Sequence, residues 1–169
     1  SALTIVYLAY MFIALYFLSF FSILYLRIRK RLFEYPKPKK NYSVSVLIPA
    51  YNEEDTIEDT INSVLKLDYK IKEIIVIDDG SKDKTGEIVK RIARRNNLVK
   101  LLSKANSGKA DSLNQGIKMA RGELVLIVDA DSYPEKDSLS KMAGFFNDDK
   151  MGAVTSSVLV KNRKGFFEI

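Results

Sequence analysis

The stretch Glu-Leu-Val-Leu-Ile-Val-Asp-Ala-Asp-Ser, residues 123–132, decides the fold of this chain. Its apolar run, residues 124–128, is too short for a membrane span and is typical of a strand buried on both faces of a parallel sheet. Asp129 and Asp131 follow this strand directly, at the edge where ligands of open α/β sheets bind. Because side chains alternate along an extended chain, we predict that both carboxylates point to one side, with Ala130 turned away.

The Asp-x-Asp pattern has two interpretations. Carboxylate oxygens suit Mg²⁺ or Mn²⁺, and a hard cation held by one or two carboxylates commonly completes its shell with substrate phosphates. The pattern is also short and common, and it can simply end a strand in a turn. The residues alone leave both interpretations open.

Strand and helix signals alternate from residue 43 onward. Short apolar runs rich in Val and Ile predict strands, and apolar residues repeating every three to four positions predict helices. This order is typical of an α/β fold with a parallel sheet and right-handed crossovers. The predicted strands are 43–48, 73–77, 99–102, 124–128 and 151–160, and the predicted helices are one after Asn52, 84–95, 109–120 and one from Ser132.

The predicted helices carry start signals and apolar faces. Asn52 can cap the first helix, and Ser132 with Pro134 and Glu135 forms a capping sequence for the last. The side chains predicted to face inward from the first three helices are Ile57, Ile61, Val64 and Leu65, then Ile88, Val89 and Ile92, then Ala110, Leu113 and Ile117.

The N-terminal segment, Ala2 to Leu26, is 25 residues long and has no charge. At 1.5 Å per residue, a helix of this length reaches about 37 Å, enough to cross a hydrocarbon core about 30 Å thick. The segment is too long for the core of a signal peptide, and no basic residue precedes it. A buried soluble helix fits poorly because no polar face exists. We therefore expect a transmembrane helix over residues 1–26.

The positive charge of the chain is concentrated beside this segment. Residues 27–40 contain seven Lys and Arg against one Glu, whereas residues 41–169 contain 20 basic and 20 acidic residues. A domain without excess basic charge argues against nucleic acid as a partner. The basic flank favours a cytoplasmic location for the domain at the cell membrane, and contact with anionic membrane lipids. We expect a linker at 27–42 and a folded domain at 43–169.

The chain has no cysteine and no histidine. A disulfide framework and thiol chemistry are therefore excluded. Any general base has to be a carboxylate, a lysine or a tyrosine.

Three loops that follow predicted strands carry polar groups, at 51–53, 78–81 and 129–132. The carboxyl ends of parallel strands open on one edge of the sheet, so these groups are expected to converge. Asp78 or Asp79 could accept a hydrogen bond from a base N–H, although Asp-Asp-Gly-Ser is also a common turn sequence.

A further polar loop, residues 104–108, leads into the predicted helix at 109–120. Its end, Asn-Ser-Gly-Lys-Ala at 106–110, resembles a small phosphate loop, with a glycine and free N–H groups at a helix N-terminus. The spacing is not that of a P-loop NTPase. Lys109 then either faces a diphosphate or is a solvated lysine at a helix start.

Four motifs occur together and in order: Val-Ser-Val-Leu-Ile-Pro-Ala-Tyr-Asn-Glu-Glu, Ile-Val-Ile-Asp-Asp-Gly-Ser, Asn-Ser-Gly-Lys-Ala-Asp-Ser-Leu-Asn and Val-Asp-Ala-Asp-Ser. This combination resembles the inverting glycosyltransferases of family 2, which have the GT-A (Rossmann-like) fold, over Ser43 to about Arg163. Gly-Ala-Val-Thr at 152–155 and Lys-Asn-Arg at 161–163, with a membrane helix ahead of the domain, resemble the processive branch that includes poly-N-acetylglucosamine, hyaluronan and cellulose synthases.

The resemblance implies a role for each motif. Asp131, with Asp129, would bind Mg²⁺ or Mn²⁺, and this metal would neutralise charge on the departing UDP. Asp78 or Asp79 would hold the uracil. The remaining residues implied to bind the nucleotide are Pro49, Ala50, Tyr51, Glu53 and Lys109, together with Asp129.

The resemblance also implies what this stretch lacks. The family's catalytic base is an aspartate in a later motif, and processive members add Gln-x-x-Arg-Trp, so both are expected beyond Ile169 and the C-terminal part of the domain is expected to be missing. We therefore predict that these residues alone bind nucleotide without turnover.

Three functions stay open at this point. The first is a membrane-bound synthase that extends a growing glycan from a UDP-sugar such as UDP-N-acetylglucosamine. The second is transfer of one sugar to a lipid phosphate, and the third is a membrane-tethered nucleotide-binding module without catalysis. The product, repeated units or a single lipid-linked sugar, would separate the first two.

Overall fold

A parallel β-sheet organises the computed structural model, which describes residues 1–32 and 34–157. Within these residues the sheet has four strands in the order β3-β2-β1-β4, and all three pairings are parallel. The parallel sheet predicted from the alternating pattern is therefore confirmed, and the carboxyl ends of its strands share one edge. The strands are β1 (Val44–Ala50), β2 (Ile71–Asp78), β3 (Val99–Ser103) and β4 (Leu124–Ile127).

The four α-helices that the structure describes after residue 43 each follow a strand in sequence, as predicted, and pack on both faces of the sheet. Side chains of α2, α3 and α5 join the larger apolar cluster, on the face that carries Val46 and Val76. Helix α4 packs against β1 and β2 on the opposite face, over Leu47 and Ile77. The helices are α1 (Ala2–Leu32), α2 (Ile57–Leu65), α3 (Thr85–Arg95), α4 (Lys109–Met119) and α5 (Ser138–Ala143), followed by a 3₁₀ turn at Gly144–Asn147.

The strand that the opening motif predicts, β4, is not buried on both faces as expected. Leu124 and Leu126 pack against the core, but Val125 and Ile127 are 41% and 47% exposed. The reason is the position of α4, which covers Leu47 of β1 and not its neighbour Ile127 in β4. Among the described residues β4 also lies at the border of the sheet.

The inward face of α4 differs from the predicted one. Ala110 is exposed and Ile117 is 49% exposed, whereas Ser112 and Gly116 are buried and only Leu113 packs inward as predicted. A Cβ atom on Gly116 would lie 3.0 Å from Ile77 Cδ1. The helix therefore approaches the sheet on small residues, which an apolar pattern does not reveal.

Two predicted helix caps are wrong. Asn52 has φ +57° and its side chain accepts a hydrogen bond from Lys82 N, while α2 begins later, after Thr56. Ser132 N donates to the carbonyl of Asp129 in a turn, and α5 begins only at Ser138. In both cases the polar residue makes a hydrogen bond within the loops and does not cap a helix.

The predicted last strand is not present where the structure describes it. Residues 151–157 form no strand, and residues 158–160 lie outside the described part of the chain.

Helix α1 is long and apolar enough to cross a membrane by length and composition. Its segment Ala2–Arg29 has a mean hydropathy of 2.0, and none of it is buried in the structure. The chain divides between Pro36 and Lys37 into two compact units, one containing α1 and the other containing the sheet.

Candidate functional site

A cavity of about 260 Å³ opens at the carboxyl ends of β1, β2 and β4. Eight of the nine residues predicted to bind nucleotide or metal line it together, although they come from four separate segments of the chain. Ser112 of α4 and Ala130 also line the cavity and were not predicted. The eight are Pro49, Ala50, Tyr51, Glu53, Asp79, Lys109, Asp129 and Asp131.

Asp78 is the predicted residue that does not line this cavity. Its Oδ1 accepts a hydrogen bond from Ser81 N at 2.9 Å, so it closes the turn after β2. A Cβ atom on Gly86 would lie 2.7 Å from Asp78 Oδ2, so the carboxylate also packs closely against the start of α3. Of the two aspartates left open by the sequence, Asp79 is the one that faces the cavity.

Asp79 is buried and accepts hydrogen bonds from three donors. The N–H groups of Ser107 and Gly108 donate to it at 2.9 and 2.8 Å, and Lys104 Nζ donates as well. Burial alone would raise the pKa of Asp79, but these donors outweigh it and the pKa is lowered. Asp79 is therefore an ionised acceptor that fixes the loop before α4.

Lys104 is the functional candidate that the sequence did not single out. Its side chain is 9% exposed, and its ammonium contacts Asp79, Ser107 Oγ and, at 3.4 Å each, Ser112 Oγ and a carboxylate oxygen of Asp111. Burial alone would lower the pKa of Lys104, but the two carboxylates raise it. Its position directly after β3, in a polar loop, was the one available signal.

The loops after β1 and β2 are joined by reciprocal hydrogen bonds. Asn52 N donates to Ser81 Oγ at 3.0 Å, and Lys82 N donates back to Asn52 Oδ1 at 2.8 Å. The positive φ of Asn52 presents both groups to the second loop. Tyr51 and Glu53 therefore have a fixed position relative to Asp79. The other bonds between the loops run from Glu53 N to Thr85, from Glu54 N to Asp83 and from Lys84 N to Glu54.

The carboxylate pair after β4 lies in a turn and not in the extended chain that the prediction assumed. Asp129 and Asp131 are exposed and line the same cavity, whereas Ala130 is buried and its carbonyl accepts from Thr60 Oγ1 at 2.7 Å. Lys109 Nζ lies 2.6 Å from Asp129 Oδ1, with both side chains more than half exposed. Both carboxylates are therefore accessible from the cavity.

The donor set of this pair fits a hard divalent cation. The described residues contain no group of three or more His, Cys, Asp or Glu side chains arranged to hold a metal. Two carboxylates leave most of the coordination shell to other oxygens, as is usual where a cation is shared with substrate phosphates. The catalytic base, expected beyond Ile169, lies outside the described residues.

Comparison with known proteins gives the family of the chain. Residues 45–168 match Glycosyl transferase family 2. The chain is 43% identical over 121 residues to poly-beta-1,6-N-acetyl-D-glucosamine synthase of Staphylococcus aureus, and 40% identical to the enzyme of the same name from Staphylococcus epidermidis. Each alignment covers 71% of this chain and 29% of the relative, so the chain spans less than a third of these proteins.

Solved structures agree with this match. A mannosyltransferase from Pyrobaculum calidifontis, in complex with GDP-Man and Mn²⁺, has a TM-score of 0.61 and 31% identity over 75% of this chain and 39% of its own. TarS of S. aureus, residues 1–349 in complex with UDP-GlcNAc, has a TM-score of 0.56 and 38% identity over 62% of this chain and 31% of its own. Because residues 45–168 make up most of the chain, this chain belongs to glycosyl transferase family 2.

Proposed function

We propose that this chain is the donor-binding part of a membrane-bound enzyme that transfers a sugar from a UDP-sugar. The observation that supports it is the cavity, because the buried Asp79, the Lys109 ammonium and the pair Asp129 and Asp131, from separate segments, meet there. UDP-N-acetylglucosamine is the proposed donor, since the similar TarS structure contains UDP-GlcNAc and the similar S. aureus enzyme is named for a poly-N-acetylglucosamine product.

Each lining group has a role in this proposal. Tyr51 stacks on the base, and the ionised Asp79 accepts a hydrogen bond from a base N–H. Lys109, which lies over Asp129, turns to the diphosphate when the donor enters. Asp131 and Asp129 would hold Mg²⁺ or Mn²⁺, which supplies Lewis-acid stabilisation of the diphosphate charge when bound.

The N-terminal segment is proposed to anchor the chain in the membrane. Helix α1 would span the bilayer, and the basic residues at 27–40 would keep the domain on the cytoplasmic side, near anionic lipids. The proposed boundaries are a span at 1–26, a linker at 27–42 and the donor-binding domain from 43.

A growing glycan is the proposed acceptor. The support is the similarity to polysaccharide synthases of two staphylococcal species. Product analysis of the complete enzyme tests this part, because repeated N-acetylglucosamine units are expected and a single sugar on a lipid phosphate would contradict it.

Donor binding is tested by thermal unfolding of the chain in detergent with Mn²⁺ and UDP. A ligand confined to the folded state stabilises it by about 2.7 kcal/mol at a hundredfold excess over Kd. We expect a UDP-dependent rise in Tm that needs Mn²⁺ and is lost in Asp131→Ala. Asp68→Ala, which removes an exposed carboxylate that does not line the cavity, is the matched control. No rise with UDP, or the same rise in Asp131→Ala, would favour a module without this site.

A further inference from the structure

The buried ammonium of Lys104 has no role in the function proposed above. It lies at the end of β3 and contacts Asp79 and Ser107, so it is directly behind the cavity wall. A buried lysine is costly unless it is paired, and this one is paired with the carboxylate proposed to read the base. The two observations together suggest a connection between Lys104 and base recognition.

The hydrogen bonds of Asp79 limit what it can still accept. An ionised carboxylate has about four acceptor positions, two on each oxygen. Oδ1 accepts from Lys104 Nζ and from Ser107 N, and Oδ2 accepts from Gly108 N. One position on Oδ2 therefore remains, on a residue that lines the cavity.

We propose that Lys104 is a positioning residue for base recognition. It holds the Asp79 carboxylate ionised and occupies Oδ1, so that one acceptor position on Oδ2 is left for a single N–H of the nucleotide base. A uracil ring offers one such group, the imide N3–H, whereas guanine offers two neighbouring donors. The inference rests on the proposed function, since it requires that the cavity binds the donor nucleotide.

The chain contains a matched pair that has no contact with the cavity. Lys100 lies on β3, four positions before Lys104, and its Nζ is 2.5 Å from the buried carboxylate of Glu73. Neither Lys100 nor Glu73 lines the cavity. If the pairing of each lysine with a buried acid were purely structural, replacing Lys100 and replacing Lys104 would therefore give similar results.

The first experiment uses the unchanged chain in detergent with Mn²⁺. Calorimetry compares UDP, N3-methyl-UDP, which lacks the imide N–H, and inorganic pyrophosphate, which lacks the base. Loss of one hydrogen bond to a charged group is expected to weaken N3-methyl-UDP about tenfold relative to UDP. Equal affinity for the two nucleotides would overturn the inference but not the proposed function. Failure to bind any of the three ligands would overturn both.

The second experiment compares Lys104→Met with Lys100→Met. We expect Lys104→Met to bind UDP about tenfold more weakly, with N3-methyl-UDP now binding as well as UDP and pyrophosphate binding as in the unchanged chain. Lys100→Met should keep all three affinities. Retained preference for UDP in Lys104→Met, or an equal loss of pyrophosphate binding, would overturn the inference.

A second variant keeps the test valid where Lys104→Met does not fold. Lys104→Gln keeps an N–H donor but removes the charge, so it is expected to reduce the preference for UDP over N3-methyl-UDP while pyrophosphate binding stays the same. An unchanged preference in this variant would also overturn the inference.

Discussion

The two ends of the β-sheet treat their acidic side chains differently. At the amino end, Glu73 is buried and accepts from Ser45 Oγ at 2.9 Å, Arg121 N at 2.8 Å and Lys100 Nζ. At the carboxyl end, Asp129 and Asp131 are exposed to the cavity. The chain itself therefore satisfies Glu73 at the amino end, as it does the buried Asp78 and Asp79 at the carboxyl end, but it leaves the second acid pair exposed to the cavity.

At the amino end of β4, the carboxylate of Glu123 is also hydrogen-bonded within the chain. The Glu123 carboxylate accepts from Lys40 Nζ at 2.7 Å and from Ser43 N at 3.1 Å, which ties the segment before β1 to β4. A Cβ atom on Gly122 would lie 2.4 Å from Ser45 N, so this edge is also closely packed. The difference indicates that the amino end stabilises the fold, and it supports the ligand-binding role proposed for the carboxyl end.

Glu73→Ala should give the largest effect and should act on stability alone. It removes the acceptor for Ser45, Arg121 and Lys100, leaves the buried Ser45 hydroxyl without its acceptor and opens a space in the buried edge, so we expect a loss of about 2 kcal/mol in the free energy of unfolding. Urea denaturation followed by circular dichroism measures it, with Glu135→Ala, an exposed acid, as the control. The folded fraction should bind UDP normally, and weakened binding would break the distinction between the two ends.

Lys109→Met should have a smaller effect, on binding rather than on stability. The pair of Lys109 with Asp129 is exposed, so its loss should hardly change the free energy of unfolding. Loss of a cation facing the diphosphate should weaken UDP about tenfold, while Mn²⁺ alone should bind at least as tightly because Asp129 is released. Calorimetry with each ligand measures this. A clear loss of stability would show that the carboxyl end also supports the fold.

Glu123→Gln should have the smallest effect, a small loss of stability at neutral pH that disappears in acid. Lys40 and the N–H of Ser43 lower the pKa of Glu123 to about 2. A carboxyl group with a lowered pKa stabilises the fold above its unfolded pKa, and this contribution is lost as the pH falls towards 2. Between pH 5 and 3, the Tm of the unchanged chain should therefore fall more steeply than that of Glu123→Gln. If the Tm of the two chains fell in parallel with pH, Glu123 would not contribute to the stability of the amino end.

Much of the fold and the cavity was readable from local patterns. Apolar runs gave the four strands, and their parallel order brings the acids after β1, β2 and β4 to one edge, since that follows from geometry alone. Asp129 and Asp131 reach this edge because they follow β4, although a turn at 129–132 replaces the extended chain that the sequence predicted there.

The missed features depend on contacts between distant residues. Lys104 looks like any loop lysine until the fold brings it to Asp79, which is 25 residues away in sequence. The inner face of α4 consists of Ser112 and Gly116, which carry little apolar signal. Asn52 and Ser132 are good cap residues, but loop hydrogen bonds use them instead.

The bonds between Asn52, Ser81 and Lys82 have a consequence for protein engineering. Because each loop supplies both donors and acceptors to the other, neither keeps its conformation when the other is replaced. Transplanting the loop that carries Tyr51 into another α/β scaffold would therefore require residues 50–54 and 81–85 to be moved together.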